Sequence, residues 1–462
     1  MSVTRIAVIG SGPSGAYTAQ LLTEESESPV EVDVFDKLPT PFGLVRYGVA
    51  PDHPRVKSIT TSFAEVFEET PGVRFLGNVH IGTDLTIEEL RARYDAVVFA
   101  HGAPLDRRLG IPGEDLGGVN AVREFVSWYQ GHPDQAVDAF VLDGRRAVVI
   151  GVGNVALDAA RMLVRTPEAL RLTDIPEHVV ESFAGSTIDE VVVIGRRGPA
   201  YAKFTNKEFI ELLEVESTDV IIDPADLELD AEQQAVLAAD PAARRLVATF
   251  QKAAERGSLG RDKTIRFLFD RTPAEFLGDA DGAVTGIRLV QTSDPTVSET
   301  LEVDLALRSV GYLGKPLDGL PFDERTGTIP HLDSRVVDGD EVVEGVYVAG
   351  WVKRGPNGVV GTNRKCALET VTSLLADLGE RDGASTAASA DEVDDLLRSR
   401  GVQVVDWNAW RAIEDAEIAT GAAVDRERIK LHVREDMLQV AADAPEPLGS
   451  PEPELAGASA HA

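Results

Sequence analysis

From residue 5 to about residue 213 the chain alternates short apolar runs with stretches whose apolar positions recur every three or four residues. Runs of that length suit strands buried on both faces and the longer stretches suit helices packed by one side, which predicts parallel sheets with crossover helices. The fold class is α/β. Strands are expected at Ile6-Ala7-Val8-Ile9, Val30 to Phe35, within Tyr94 to Ala103, at Ala147-Val148-Val149-Ile150, at Glu190 to Ile194 and within Gly345 to Trp351. Three further β-like runs, at 264–269, 286–290 and 305–310, read as an add-on to the main sheets. After Gly383 the composition shifts to Ala, Ser and Asp, followed by an amphipathic stretch around Trp407 to Ile418. From about Ala441 the chain is rich in Pro, Glu and Ala and is expected to be disordered.

With 462 residues, two or more domains are expected. No apolar run approaches the length of a bilayer span, and Met1-Ser2-Val3-Thr4-Arg5 leads straight into a strand, without space for a signal peptide. A cytoplasmic location is therefore expected. The single cysteine, Cys366, leaves no intrachain disulfide, no Cys-x-x-Cys pair and no four-thiolate cluster, so an iron-sulfur carrier must be a separate protein. Cys366 itself reads as a small, partly buried helix residue. A net charge of -32 opposes nucleic acid and anionic lipid. An acidic protein partner would need a local basic surface; Arg145-Arg146, Arg244-Arg245 or Arg261 with Lys263 could form one, or could be scattered solvated charges.

One βαβ unit occurs twice. In the first, Arg5-Ile6-Ala7-Val8-Ile9 feeds Gly10-Ser11-Gly12-Pro13-Ser14-Gly15, then a helix to Leu22 and a second strand. Gly10 permits the tight turn, Gly12 lets backbone approach a diphosphate, and Gly15 lets the helix pack closely on the strand. Pro13 suits a first helical turn, whose free amides attract the anion. Asp36, closing the second strand, is placed to accept hydrogen bonds from an adenosine ribose, so this unit should bind FAD or NAD. The second unit carries Gly151-Val152-Gly153-Asn154-Val155-Ala156 and a helix to about Val164, but its next strand ends in Gly195-Arg196-Arg197-Gly198. Two guanidiniums there pair with a 2′-phosphate, and the missing acid removes the ribose acceptor, which selects NADPH over NADH. Asp158 and Arg161, three apart in that helix, read as a local ion pair.

Two irregular Gly- and Pro-rich loops, residues 39–54 (Pro39-Thr40-Pro41-Phe42-Gly43-Leu44 through His53-Pro54) and 351–363 (Trp351-Val352-Lys353-Arg354-Gly355-Pro356-Asn357-Gly358-Val359-Val360-Gly361-Thr362-Asn363), have the composition of ligand-side loops. With Ile111-Pro112-Gly113-Glu114-Asp115 and Gly195-Arg196-Arg197-Gly198-Pro199, they resemble the adrenodoxin reductase type of ferredoxin-NADP reductase, over about residues 1 to 440. That resemblance implies two Rossmann-like dinucleotide-binding domains, with the NADPH domain inserted into a discontinuous FAD domain: residues 1–104 and 330–440 for FAD, 105–329 for NADPH, and 441–462 as a tail. It implies FAD contacts at Ser14, Asp36, Gly43, Leu44, Val79, Trp351, Gly358, Val359 and Val360. NADP(H) contacts are implied at Arg107, Val152, Gly153, Asn154, Val155, Arg196, Arg197 and Glu208, with Gly358 close to both cofactors. His53 and Glu211 match the family's active-site histidine and acid, although taken alone a histidine after Pro51-Asp52 is more often structural. Asp36 departs from the family, where a longer Glu is common, and His101 occupies a variable turn position.

The implied activity is hydride transfer from NADPH to FAD, then single-electron transfer to a ferredoxin-like iron-sulfur protein. Two readings compete with it. A two-electron flavoenzyme could be a disulfide reductase, which the lone cysteine excludes, or a monooxygenase. A non-catalytic flavoprotein subunit of a larger complex would typically carry cysteine-rich segments, which this sequence lacks.

Overall fold

Two parallel sheets divide the chain, seen in a computed structural model that describes residues 3–358, 360–381, 385 and 387–444. The first runs in the order His331–Leu332, Arg335–Asp338, Glu341–Val348, Ala96–Phe99, Thr4–Ile9, Val30–Phe35, Val73–Leu76. The last five pair in parallel, and the two strands at the other edge are antiparallel. Ile6, Ala7, Val8, Val97, Val98 and Phe99 are wholly buried, so both faces of these strands demand apolar side chains. The chain leaves this sheet after Ala96–Phe99 and re-enters it at His331–Leu332, and everything between builds the second unit.

The second sheet is ordered Val119–Ala121, Leu305–Arg308, Arg146–Ile150, Glu190–Ile194, Lys263–Leu268, Thr218–Ile222, all parallel. One expectation is corrected here. The runs at 264–269 and 305–310 are interior strands of this sheet; only 286–290 belongs to a separate antiparallel ladder of Arg271–Gly278, Val284–Gln291 and Ser298–Glu302. A short apolar run carries no periodicity that says which sheet it will join. Where the chain passes between the two units, Leu105–Asp106 pairs antiparallel with Tyr312–Leu313, so the outgoing and returning passages lie side by side.

The last third closes over both units. Helix Val360–Gly379 packs on helix Pro13–Glu25, and the amphipathic stretch forms helix Trp407–Ala422 with Trp410 and Ile413 in the core. Glu417 of the same helix is fully buried, yet it is well partnered: it binds both terminal nitrogens of Arg46 and accepts from the Leu431 amide at 2.9 Å. Residues 426–433 then form a strap across the second unit. Arg426 donates to the Thr173 and Ile175 carbonyls at 2.7 and 2.6 Å, and the buried Lys430 lies 3.2 Å from Asp174. Burial pushes the Lys430 ammonium well down from its ordinary value, against the pull of Asp174. Helix Arg434–Ala442 follows, so Ala441 and Ala442, placed in the disordered tail by the sequence, end a helix; residues from 445 onward lie outside the described residues.

Removing one partner of a buried ion pair strands the other charge, so Glu417→Ala should cost about 3–5 kcal/mol, read as a lower urea midpoint. A pH effect is also expected. Burial pushes the His101, His132 and His178 imidazoles down from 6.5 to about 4. Between those values the unfolded chain takes up protons that the folded chain refuses, so stability is full above about pH 6.5, falls toward pH 4 and then levels off. The urea midpoint should follow that course, with a shallower slope in His132→Gln; an unchanged slope would assign the loss to other groups.

Candidate active site

At the first glycine-rich turn, Gly10 has a φ of +108°, and a Cβ there would stand 2.7 Å from the Ala100 carbonyl oxygen. A Cβ on Gly15 would fall 1.8 Å from the Gly10 oxygen, so helix and strand meet too closely for any side chain. Gly12 caps helix Pro13–Glu25 without a side-chain acceptor, and its nearest neighbour is the backbone of Gly43, itself at a φ of +50°. The two backbones lie close with no side chain between them, and with the free amides at the start of the helix this is a cradle suited to a diphosphate. Ser14 Oγ donates to Asn363 Oδ1 at 3.1 Å, and Arg354 reaches the same oxygen at 2.6 Å. The loop of 351–358 is thereby tied to the start of the first helix.

The other implied FAD contacts divide into those near this cradle and those with duties elsewhere. Asp36 is occupied by its own chain: Ser11 N and Leu38 N donate to it at 2.9 and 3.0 Å, and Ser11 Oγ donates at 2.5 Å. Burial raises its pKa, against the hydrogen bonds from Ser11 and Leu38. Val79 is buried in the core and donates its amide to the Asp36 carbonyl, so its side chain serves packing. Leu44 is exposed at the start of a one-turn helix, Leu44–Tyr47. Trp351 stacks on Tyr312 with ring centroids 5.8 Å apart. Gly358 has a φ of +86°, Val360 opens helix Val360–Gly379, and Val359 lies outside the described residues.

The second turn repeats the logic with more space. Gly151, at φ +136°, sits against the Ser309 carbonyl, whereas a Cβ on Gly153 would meet nothing within 4 Å. Gly153 caps helix Asn154–Val164 without a side-chain acceptor, and the Val152 carbonyl and Asn154 amide oxygen accept from Lys203 N and Thr205 N at 2.7 and 3.3 Å. Val155 is half-buried in the first turn of that helix. Arg196 and Arg197 follow strand Glu190–Ile194, are exposed, and pair with no carboxylate among the described residues; Arg197 lies 4.1 Å over the Tyr201 ring. In a chain this acidic, two such guanidiniums leave a local positive spot. Arg107 is exposed beside the two-stranded crossing, its amide bonded to the Gly311 carbonyl.

Between the two turns the units meet through charge. His53 lies 3.4 Å from Glu211 on helix Asn206–Leu213. The residue before it, Asp52, is gripped by Arg161 at 2.9 and 3.0 Å and by Arg165 at 2.6 Å. Burial alone would raise the Asp52 carboxyl, but those two guanidiniums hold it well below the usual carboxylate range. Glu208 is raised by burial and by the nearby Asp158, and its Oε2 is buried without a hydrogen-bond partner. Such an oxygen suits an incoming N–H, as from a carboxamide.

Sequence reasoning missed part of this arrangement. Asp158 and Arg161 do pair, at 2.7 Å, but Arg161 is only 1% exposed and also crosses to the other unit. The available signal was a charge on the apolar face shared with Leu157 and Val164, three or four residues away. Asn363, Arg354 and Tyr312 left no such signal. Most cations of the proposed basic patches have partners: Arg145 and Arg146 pair with Asp189 and Glu190, Arg244 donates to the Leu237 and Ala238 carbonyls at the end of the preceding helix, and Lys263 donates to the Leu163 carbonyl. Cys366 is buried and its sulfur accepts from the Gly350 amide at 3.3 Å.

Residues 4–220 match the family described as pyridine nucleotide-disulphide oxidoreductase. The NADPH-ferredoxin reductase FprA of Mycobacterium tuberculosis is 40% identical over 94% of this chain and 98% of its own length. The mitochondrial NADPH:adrenodoxin oxidoreductase of Arabidopsis thaliana is 38% identical over 95% of each chain. A solved structure of Mycobacterium tuberculosis FprA in complex with NADPH superposes with a TM-score of 0.88, over 95% of this chain and 100% of that one. The glycine turns, the inserted second sheet and these similarities agree, and the chain belongs to the family of NADPH-ferredoxin reductases.

Proposed function

We infer that the chain is an NADPH-dependent ferredoxin reductase with FAD and NADP(H) as cofactors, and the observation that carries this is the pair of glycine turns with unlike ribose ends. The strand after the first turn leads to Asp36 and the strand after the second to Arg196 and Arg197, which pair with no carboxylate among the described residues, and this difference supports different dinucleotides in the two halves. In this reading residues 1–104 and 330–440 hold FAD, and residues 105–329 hold NADPH.

Bound between the halves, FAD would supply the chemistry that turns a hydride from NADPH into electrons passed on singly. The protein's part is placement. Gly12 and the amides that start helix Pro13–Glu25 hold one diphosphate, and Gly153 with helix Asn154–Val164 holds the other. Arg196 and Arg197, with Arg107 at the crossing, grip the 2′-phosphate end, and Glu208 offers its unpaired oxygen to the nicotinamide carboxamide. Asp52 and Arg161 fix the angle at which the halves meet, and so the alignment of the reacting rings. His53 and Glu211 sit at that joint and can hold a proton at His53 Nε2.

The physiological acceptor is an iron-sulfur protein of the ferredoxin kind, and the cytoplasm is the expected place of work. Among the described residues no helix is long and apolar enough to cross a membrane. The whole reading is tested with purified, FAD-loaded chain, which should reduce cytochrome c with NADPH only when a ferredoxin is added. Oxygen incorporation into a substrate would replace it with the monooxygenase reading.

Two variants probe the parts. Replacing Arg196 and Arg197 together with Ser should raise KM for NADPH by about 10–100-fold, since charged hydrogen bonds contribute roughly 1.5–3 kcal/mol, and leave KM for NADH nearly unchanged. Equal losses with both coenzymes would move the 2′-phosphate elsewhere. His53→Ala should slow flavin reduction by roughly 10–100-fold without releasing the flavin. Unchanged kinetics would take His53 out of the site.

A further inference from the structure

His53 Nε2 has two suitors. A terminal nitrogen of Arg161 lies 3.2 Å from it and Oε2 of Glu211 lies 3.4 Å from it. Their demands are opposite, because a guanidinium only donates and a carboxylate only accepts. Arg161 can bond Nε2 only when that nitrogen offers a lone pair. Glu211 can bond it only when that nitrogen carries a proton.

The two neighbours also differ in freedom. The same terminal nitrogen of Arg161 donates to Asp52 at 3.0 Å, its Nε donates to the other Asp52 oxygen at 2.9 Å, and the side chain is 1% exposed. Asp158 sits 2.7 Å from that nitrogen and competes with His53 for its second hydrogen. Glu211 has a side chain 32% exposed and is shared with Lys207 at 3.3 Å, so it can swing toward or away from the ring.

We propose that Arg161 is a positioning residue for His53, holding the neutral ring with its proton on Nδ1, and that protonation of Nε2 hands the ring from Arg161 to Glu211. The proposal rests on the reading that places His53 in the active site. Arg161 and Glu211 belong to the inserted unit and His53 to the other; Asp52 keeps the loop on helix Asn154–Val164 in either state, and the proton decides whether His53 adds a bond to helix Asn206–Leu213. Asp52, Asp158 and Glu208 are the carboxylates around the ring, and Arg165 and Lys207 the further cations. None of these five is within bonding distance of Nε2, so they do not choose the tautomer. The hydroxyls of Tyr129 and Tyr312 are raised by burial and stay neutral.

The test is 15N NMR of the full, FAD-loaded chain with labelled histidine, His53 being assigned by His53→Gln. In the unchanged chain the neutral ring should carry its proton on Nδ1. Glu211→Gln should keep that tautomer and move the midpoint of ring protonation down by about 1 pH unit, as expected on losing a nearby opposite charge. Arg161→Met should switch the neutral ring to the Nε2–H form and move the midpoint up. An Nε2–H neutral ring in the unchanged chain, or no change of tautomer in Arg161→Met, overturns the proposal. Should Arg161→Met not fold, the unchanged chain and Glu211→Gln decide the matter. If the tautomers behave as stated while His53→Ala reduces flavin at the normal rate, the exchange of partners stands and the active-site reading of His53 falls.

Discussion

The ion pair between Asp52 and Arg161 is the contact on which the geometry of this molecule turns. Both side chains are buried, and withdrawing two charges from water costs several kcal/mol per ion before their attraction offsets it. Here the offset comes from a two-pronged bond, with Arg165 and Asp158 adding opposite charges on either side. An arrangement of that kind contributes little net stability, but it tolerates only one way of docking. It sets one glycine turn against the other and brings a histidine of one unit to a glutamate of the other.

The strap reinforces the same choice from the far side. Lys430 and Lys57 converge on Asp174, and Gln130 bridges them by accepting from both and donating to the Val49 carbonyl. Burial would raise the Asp174 carboxyl, yet the two ammonium groups hold it below its ordinary range. These bonds reach the loop that carries Asp52 and His53. Two polar clusters, made by segments far apart in sequence, therefore fix one short loop between them.

Much of the fold could be read from the chain because its signals are local. The glycine turns, the strand pairs flanking them and the change from Asp36 to Arg196-Arg197 all lie within about one βαβ unit, where spacing carries geometry. What escaped was non-local. The runs at 264–269 and 305–310 look like many other apolar hexamers, and nothing in them names Glu190–Ile194 or Arg146–Ile150 as neighbours. Arg161 was seen as a partner for Asp158 three residues away, while its bond to Asp52 spans more than a hundred residues. At Asp36 the position was legible, but not that its carboxylate also accepts from Ser11 and Leu38, since those bonds depend on how the turn closes.

The paired passages at Leu105–Asp106 and Tyr312–Leu313 have a consequence for how such chains can be recombined. Because entry and exit stand one ladder apart, the intervening stretch is a cassette whose two ends meet, and a donor cassette with another coenzyme preference could be spliced in with only two junctions. The splice would still be incomplete. The strap docks on Asp174, Thr173 and Ile175 from outside the cassette, so a chimera must exchange residues 426–433 along with it.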